Sequence, residues 1–364
     1  MFQADARHGG RNPGLSSRSP HVLAWNVPLV TGTLQLTPPV FGRSKVLVGS
    51  WPGDGKLYAL RPGDGSVIWS FTAPAGNGFQ GAAAAVGDRV FAVTFGPTPF
   101  VYALDEASGA VVWQTPLPGG SSASVAVVGG HVLVNGDQHR LYALAAGTGA
   151  VLWSAATSPG AGSQLSAPAV EFGRVFVGSD DGLFAFDLLN GAQIWKFPLA
   201  SPPSWSSPVL YVPPTGVPLV YISTVGGAGV SPTLHAVNAT TGAQVWSYAG
   251  AGLLGTHTSA LGNGRLFIFE YLTLKALDAA TGAPIWAYTP MPAAATPVGA
   301  MAVGDRLVYY ADGQLIRGVD MTNGKLVWQA PIPGNGNPNA PGNSPGIEFE
   351  LLVVPNKGHV HAFR

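Results

Sequence analysis

A glycine followed four residues later by a tryptophan limits the possible folds of this chain more than any other feature, because it is written seven times. The pairs are Gly65/Trp69, Gly109/Trp113, Gly149/Trp153, Gly191/Trp195, Gly242/Trp246, Gly282/Trp286 and Gly324/Trp328, with successive tryptophans 44, 40, 42, 51, 40 and 42 residues apart. Self-similarity at that period is the signature of propeller blades. Each glycine follows Asp64, Ser108, Thr148, Asn190, Thr241, Thr281 or Asn323. Such a pair suits a hairpin loop in which the glycine takes positive φ without steric cost. Asp105, Asp187, Asn238, Asp278 and Asp320, just upstream, are placed to bind the turn's N–H groups, whereas Arg61 and Ala145 depart from the pattern. Immediately before each of these tryptophans stands Ile, Val or Leu, as in Ile285-Trp286. Neighbouring strand residues point to opposite faces, so the expectation is a strand covered on both sides by adjacent sheets.

A second signature precedes each turn: LYAL at 57–60, VYAL at 101–104, LYAL at 141–144, LFAF at 183–186, LHAV at 234–237, LKAL at 274–277, IRGV at 316–319 and VHAF at 360–363. That makes eight copies against seven. The last copy ends the chain before a Gly and Trp could follow, while Trp25, in VLAWNVPL, lies 44 residues before Trp69. The inferred fold is all-β: an eight-bladed propeller of four-stranded antiparallel blades, with the strand around Trp25 completing the last blade. The expected organisation is a leader over 1–20 and one propeller domain over 21–364. A docked indole buries roughly 150–250 Å², worth at most about 4–6 kcal/mol, so these tryptophans read as the glue between blades.

Composition then removes function classes. Lys+Arg and Asp+Glu balance at 18 each, which opposes a phosphate-binding surface and hence a nucleic-acid partner. With no cysteine, disulfides, thiolate metal sites and cysteine nucleophiles are excluded. No apolar run is long enough for a transmembrane helix, and residues 1–20 lack the apolar core of a secretory signal. A periplasmic or secreted location for a processed chain is expected, with the cytoplasm as the open alternative, and a monomer.

The repeat, A-x-D-x-x-T-G-x-x-x-W, resembles the PQQ-binding-like β-propeller repeat of quinoprotein dehydrogenases and of the propeller lipoprotein in the bacterial outer-membrane β-barrel assembly machinery. The resemblance runs from about Trp25 to Arg364, and FQADARHGG at 2–10 is similar to a leader that often precedes such propellers. It implies a propeller fold much more firmly than an activity. Quinoprotein members hold the quinone with Ca²⁺ and are larger, often with a disulfide between adjacent cysteines. No set of positions here matches that site residue by residue. No cofactor is therefore expected, with PQQ plus Ca²⁺ as the alternative.

Binding groups in a propeller are expected on the loops that enter the inner strands and on those that follow the second strands, all on one face. Six residues there are candidates: Gln80 and Gln164 as amide donors, Trp205 outside the tryptophan register, His257 and Glu270 in one blade, and Asp312. Trp205 suits stacking on a sugar or planar ligand, or capping a blade. His257 with Glu270 suits acid–base work or metal binding, or a structural pair. His139, beside Asp137 and Arg140, is expected in solvent, and Asp180-Asp181-Gly182 reads as a tight turn. His235, Lys275, Arg317 and His361 share one repeat position with Tyr58, Tyr102, Tyr142 and Phe184, so that slot reads as structural. No catalytic motif appears. The expected function is non-enzymatic: a binding or scaffold protein of the bacterial envelope or exterior, taking a protein, small-molecule or carbohydrate ligand. The rival is an enzyme at the channel mouth, either a quinone- and Ca²⁺-dependent oxidoreductase or a carbohydrate-active hydrolase or lyase.

Overall fold

The structure is a computed structural model that describes residues 22–30, 35–51, 53–158, 166–203, 206–227, 229–250, 258–290, 299–311, 315–333, 344–348 and 350–364. Among them all regular structure is β, arranged as eight antiparallel sheets. Blade 2 shows the plan. Its strands Ala84–Val86, Arg89–Val93, Phe100–Asp105 and Val111–Pro116 pair in chain order from the inside outward. Blades 3 to 7 repeat it, and blade 1 splits its innermost strand into Gln35–Leu36 and Val40–Phe41.

Blade 8 confirms closure by the two ends of the chain. Gly346–Glu348, Leu351–Asn356 and His359–Phe363 form its first three strands, and Leu23–Pro28 forms the fourth. Trp25 pairs with Ala362 across that seam, and Val22 and Arg364 exchange backbone hydrogen bonds of 2.6 and 2.9 Å. Trp25, Val360 and Ala362 then pack with Val46, Tyr58 and Leu60 of blade 1, so the seam is sealed by a shared apolar core.

The glycine and the tryptophan of the motif serve each other across blades. Within a blade, the small residue of the third strand lies opposite the indole, as Ala59 does to Trp69 and Gly318 to Trp328. The indole then reaches forward to the turn of the next blade. A Cβ on Gly109 would stand 2.6 Å from Cε3 of Trp69, and Gly65, Gly149, Gly191, Gly242, Gly282 and Gly324 are crowded in the same way by the preceding blade's Trp. All seven glycines have φ between 70° and 76°, so both the backbone and the approaching ring demand glycine. Trp69 Nε1 donates to Glu106 O at 3.0 Å, and equivalent bonds run from Trp25 to Pro62, Trp113 to Ala146, Trp153 to Leu188, Trp195 to Ala239 and Trp286 to Met321. At Trp246 the acceptor, Ala279 O, is taken by the Tyr221 hydroxyl at 2.5 Å, leaving Nε1 without a partner. Trp328 also meets Phe363 of blade 8 edge-on, with ring centroids 5.7 Å apart.

The acidic and amide residues upstream cap the turns as expected: Ser108 N donates to Asp105 Oδ1 at 2.9 Å and Thr281 N to Asp278 Oδ1 at 2.9 Å. One expectation fails. The aliphatic residue before each Trp is not sandwiched; Ile68, Val112, Leu152 and Ile285 are 38–50% exposed. In every outer strand the register slips by one residue there, between Val111 and Trp113 for instance. The extra residue of such a bulge leaves the ladder and bends the strand. It turns the aliphatic outward while the indole stays in the cleft.

Blades 1 and 2 also share a buried ion pair. Lys45 Nζ donates to Glu106 Oε2 at 2.8 Å, with side chains 11% and 7% exposed. Gly42 makes room for it, since a Cβ there would lie 2.8 Å from Glu106 Oε1.

Candidate functional site

The hairpins between second and third strands and the loops entering the inner strands share one face. Polar residues end the second strands on that face: Ser50, Thr94, Ser179, Thr224, Glu270 and Asn356. In blades 1, 2 and 5 the hydroxyl pins its own hairpin, accepting from Lys56 N, Phe100 N and Thr233 N at 3.0, 2.9 and 3.1 Å. Blade 6 breaks the pattern with Glu270.

Glu270 is buried, and its Oε2 accepts from Lys275 Nζ and, at 3.2 Å, from the Tyr248 hydroxyl of blade 5. Lys275 also donates to Tyr248 Oη at 2.9 Å and lies 5.6 Å from that ring's centroid. Burial pushes the Lys275 ammonium down, but its bonds to Glu270 and Tyr248 outweigh this and hold it above the ordinary lysine range. The carboxylate is thus committed to an ion pair, which suits a clamp between blades 5 and 6 better than a proton acceptor.

Gln80 is half-buried beside Phe79, whose N–H donates to Ser50 O at 3.0 Å. The other four candidates, Gln164, Trp205, His257 and Asp312, lie outside the described residues, as does any meeting of His257 with Glu270.

Two groups on this face carry more chemistry than their sequence context suggests. Asp137 follows the end of its strand, and its Oδ1 is buried without a hydrogen-bond partner. Burial lifts its carboxyl to about 6, against a backbone bond from Ser122 that acts the other way. His139, expected in solvent, has a side chain only 12% exposed, with Nδ1 3.8 Å from Asp180 Oδ2 of blade 4. The Asp180-Asp181 turn is confirmed as a tight hairpin, closed by Ser179 opposite Gly182. Asp181 pairs with Lys196 at 2.6 Å.

The shared slot on the third strands faces the outer strand of the preceding blade, where Tyr102 meets Phe71 at 4.9 Å and His235 meets Phe197 at 5.3 Å. It is aromatic in blades 1 to 4 and basic in blades 5 to 8, so the ring is chemically two-sided although its backbone is not. His361 is the extreme case. Burial, helped by His359, holds its ring down at about 4, which keeps it neutral.

Among the described residues no group of three or more His, Asp or Glu is arranged to hold a metal. The mouth carboxylates Asp54, Asp181 and Glu270 are engaged by Ser50 and Tyr58, by Lys196, and by Lys275 and Tyr248.

The family described as "Outer membrane protein assembly factor BamB" matches residues 53–227 and 230–364, well over half of the chain. The chain belongs to that family of PQQ-repeat propellers. Among curated proteins no sequence matches it. Solved structures agree on the fold. BamB from Moraxella catarrhalis superposes with a TM-score of 0.71 at 17% identity, covering 94% of this chain and 99% of that one. The quinohemoprotein alcohol dehydrogenase from Comamonas testosteroni gives 0.75 at 13%, covering 100% of this chain and 80% of that one. A computationally designed protein, Ika8, gives 0.69 at 16%, with 94% and 99% covered. BamB, an alcohol dehydrogenase and a designed protein share this frame, so the frame alone does not choose among activities.

Proposed function

We propose that this BamB-family propeller is a non-enzymatic scaffold of the bacterial cell envelope that binds a partner protein along the rim of its blades. The observation that carries this reading is the regular exposure of aliphatic side chains on the outer strands. Val67 and Ile68, Val111 and Val112, and Val151 and Leu152 stand 38–51% exposed on three successive blades, and Ile194, Val245, Ile285, Leu326 and Val327 continue the series. Single exposed aliphatics need no explanation, but contiguous apolar surface on a soluble face marks interaction sites. The bulges deny the rim to edge-to-edge strand pairing, so a partner would be gripped through side chains. The family membership supports an envelope location, and among the described residues no helix is long and apolar enough to cross a membrane.

Photo-crosslinking tests this. A photoreactive residue at position 112 or 152 should give one discrete adduct in bacterial envelope fractions, and the same residue at the exposed turn position 87 should give none. Equal labelling from all three positions would end the rim proposal. Thermal unfolding with PQQ plus Ca²⁺ separates the enzyme alternative: a saturable rise in Tm would favour an oxidoreductase, since ligands that bind the native state stabilise it.

A further inference from the structure

His361 lies in the third strand of the closing blade, 0% exposed, and neither ring nitrogen has a hydrogen-bond partner. Buried polar groups are rarely left so, and an ion is one of the standard explanations. Two residues earlier on the same strand, and therefore on the same face, stands His359. The two rings lie 5.9 Å apart and within 11° of parallel. His359 Nδ1 meets Asn26 Oδ1 at 3.0 Å. An amide oxygen only accepts, so Nδ1 carries the hydrogen and Nε2 keeps its lone pair. A ring nitrogen tied to an outer acceptor, with the other left to coordinate, is how metal-binding histidines are oriented.

We propose that His359 and His361 form a two-imidazole site for a borderline divalent transition ion, Zn²⁺ or Cu²⁺, at the seam where the ring closes. Two neutral imidazoles suit these ions and not Ca²⁺ or Mg²⁺, which prefer oxygen. Asn356 lies opposite His359 in the register of the neighbouring strand, and water would complete the shell. Entry is past His359, which is only half-buried. Because Asn26 belongs to the first strand of the chain and both histidines to the last, a bound ion braces the joint between them. The site is independent of the rim proposed above.

The sister blades supply the substitutions. His361→Phe installs the side chain that Phe184 places in this slot, and His359→Thr installs that of Thr273. The full-length protein is titrated with ZnCl₂, CuCl₂ or CaCl₂ while thermal unfolding is followed, and the Cu²⁺ form is examined by electron paramagnetic resonance at one equivalent. Zn²⁺ and Cu²⁺ should raise Tm by about 3 °C at a hundredfold excess over Kd, Ca²⁺ should not, and the copper spectrum should show two nitrogen ligands. Either substitution should abolish the shift. A wild-type protein without the shift, a shift that survives in the double variant, or a copper spectrum lacking a second nitrogen overturns the assignment. The spectrum of the wild type decides the matter even where a variant fails to fold.

Discussion

The ion pair between blades 1 and 2 can be removed in two ways with opposite expected outcomes. Lys45 and Glu106 are in contact at 2.8 Å, so at an effective dielectric near 20 their attraction is about 6 kcal/mol. Desolvating two ions costs several kcal/mol each, so the intact pair is close to neutral for stability, whereas one orphaned partner costs about 3–5 kcal/mol. The repeat itself offers apolar replacements. Leu219, Leu307 and Leu351 occupy the Lys45 position in blades 5, 7 and 8, and Leu188 occupies the Glu106 position in blade 4. Lys45→Leu alone and Glu106→Leu alone should each lose about 3–5 kcal/mol, while the double variant should return to within about 1 kcal/mol of wild type or exceed it. Urea unfolding at pH 7, with all four proteins compared at equal m, measures the cycle. Additive losses, with no coupling energy, would refute the reasoning.

Gly109→Ala should destabilise by about 2–4 kcal/mol, combining positive φ with the Trp69 contact. Gly87→Ala, at φ 62° with nothing within 4 Å of its Cβ, should lose only about 1 kcal/mol, and equal urea midpoints for the two would break the link between glycine and neighbouring indole. Asp137, whose native carboxyl sits near 6 against an ordinary 3.8, binds more protons folded than unfolded between those values, so its contribution is present at low pH and is lost as pH rises through 6. Asp137→Asn should therefore raise stability by about 1–3 kcal/mol at pH 8 and by much less at pH 4, read from urea midpoints at the two pH values; the same gain at both would show that titration is not the cause.

The sheet count, the turns and the closure of the ring were legible because spacing alone dictates them: Trp25 fell one period ahead of Trp69, and the strands met there. The second duty of the turn glycines was not, because the ring that crowds Gly109 belongs to another blade, 40 residues away in chain and adjacent only in space. The outer-strand aliphatics were misread for a related reason. Strict alternation assigns Ile68 and Trp69 to opposite covered faces, and only the bulge between Val67 and Trp69 turns the first outward. Glu270 was recognisable as an ionisable group on the binding face, but its partner Lys275 sat in a slot whose regularity read as structural. The Asn26–His359–His361 arrangement needed the two ends of the chain side by side, and Gln164, Trp205, His257 and Asp312 lie outside the described residues.

Each blade gives its indole forward and receives one from behind, a head-to-tail joint built alike at seven of the eight steps. Such a joint has no natural terminus, so an assembly built from it extends until the rotation per unit brings the last member against the first. Blade number in this family is then a matter of wedge angle, here one-eighth of a turn. A duplication that added a ninth unit would have to flatten every joint at once, which makes the count a collective property that no single substitution resets.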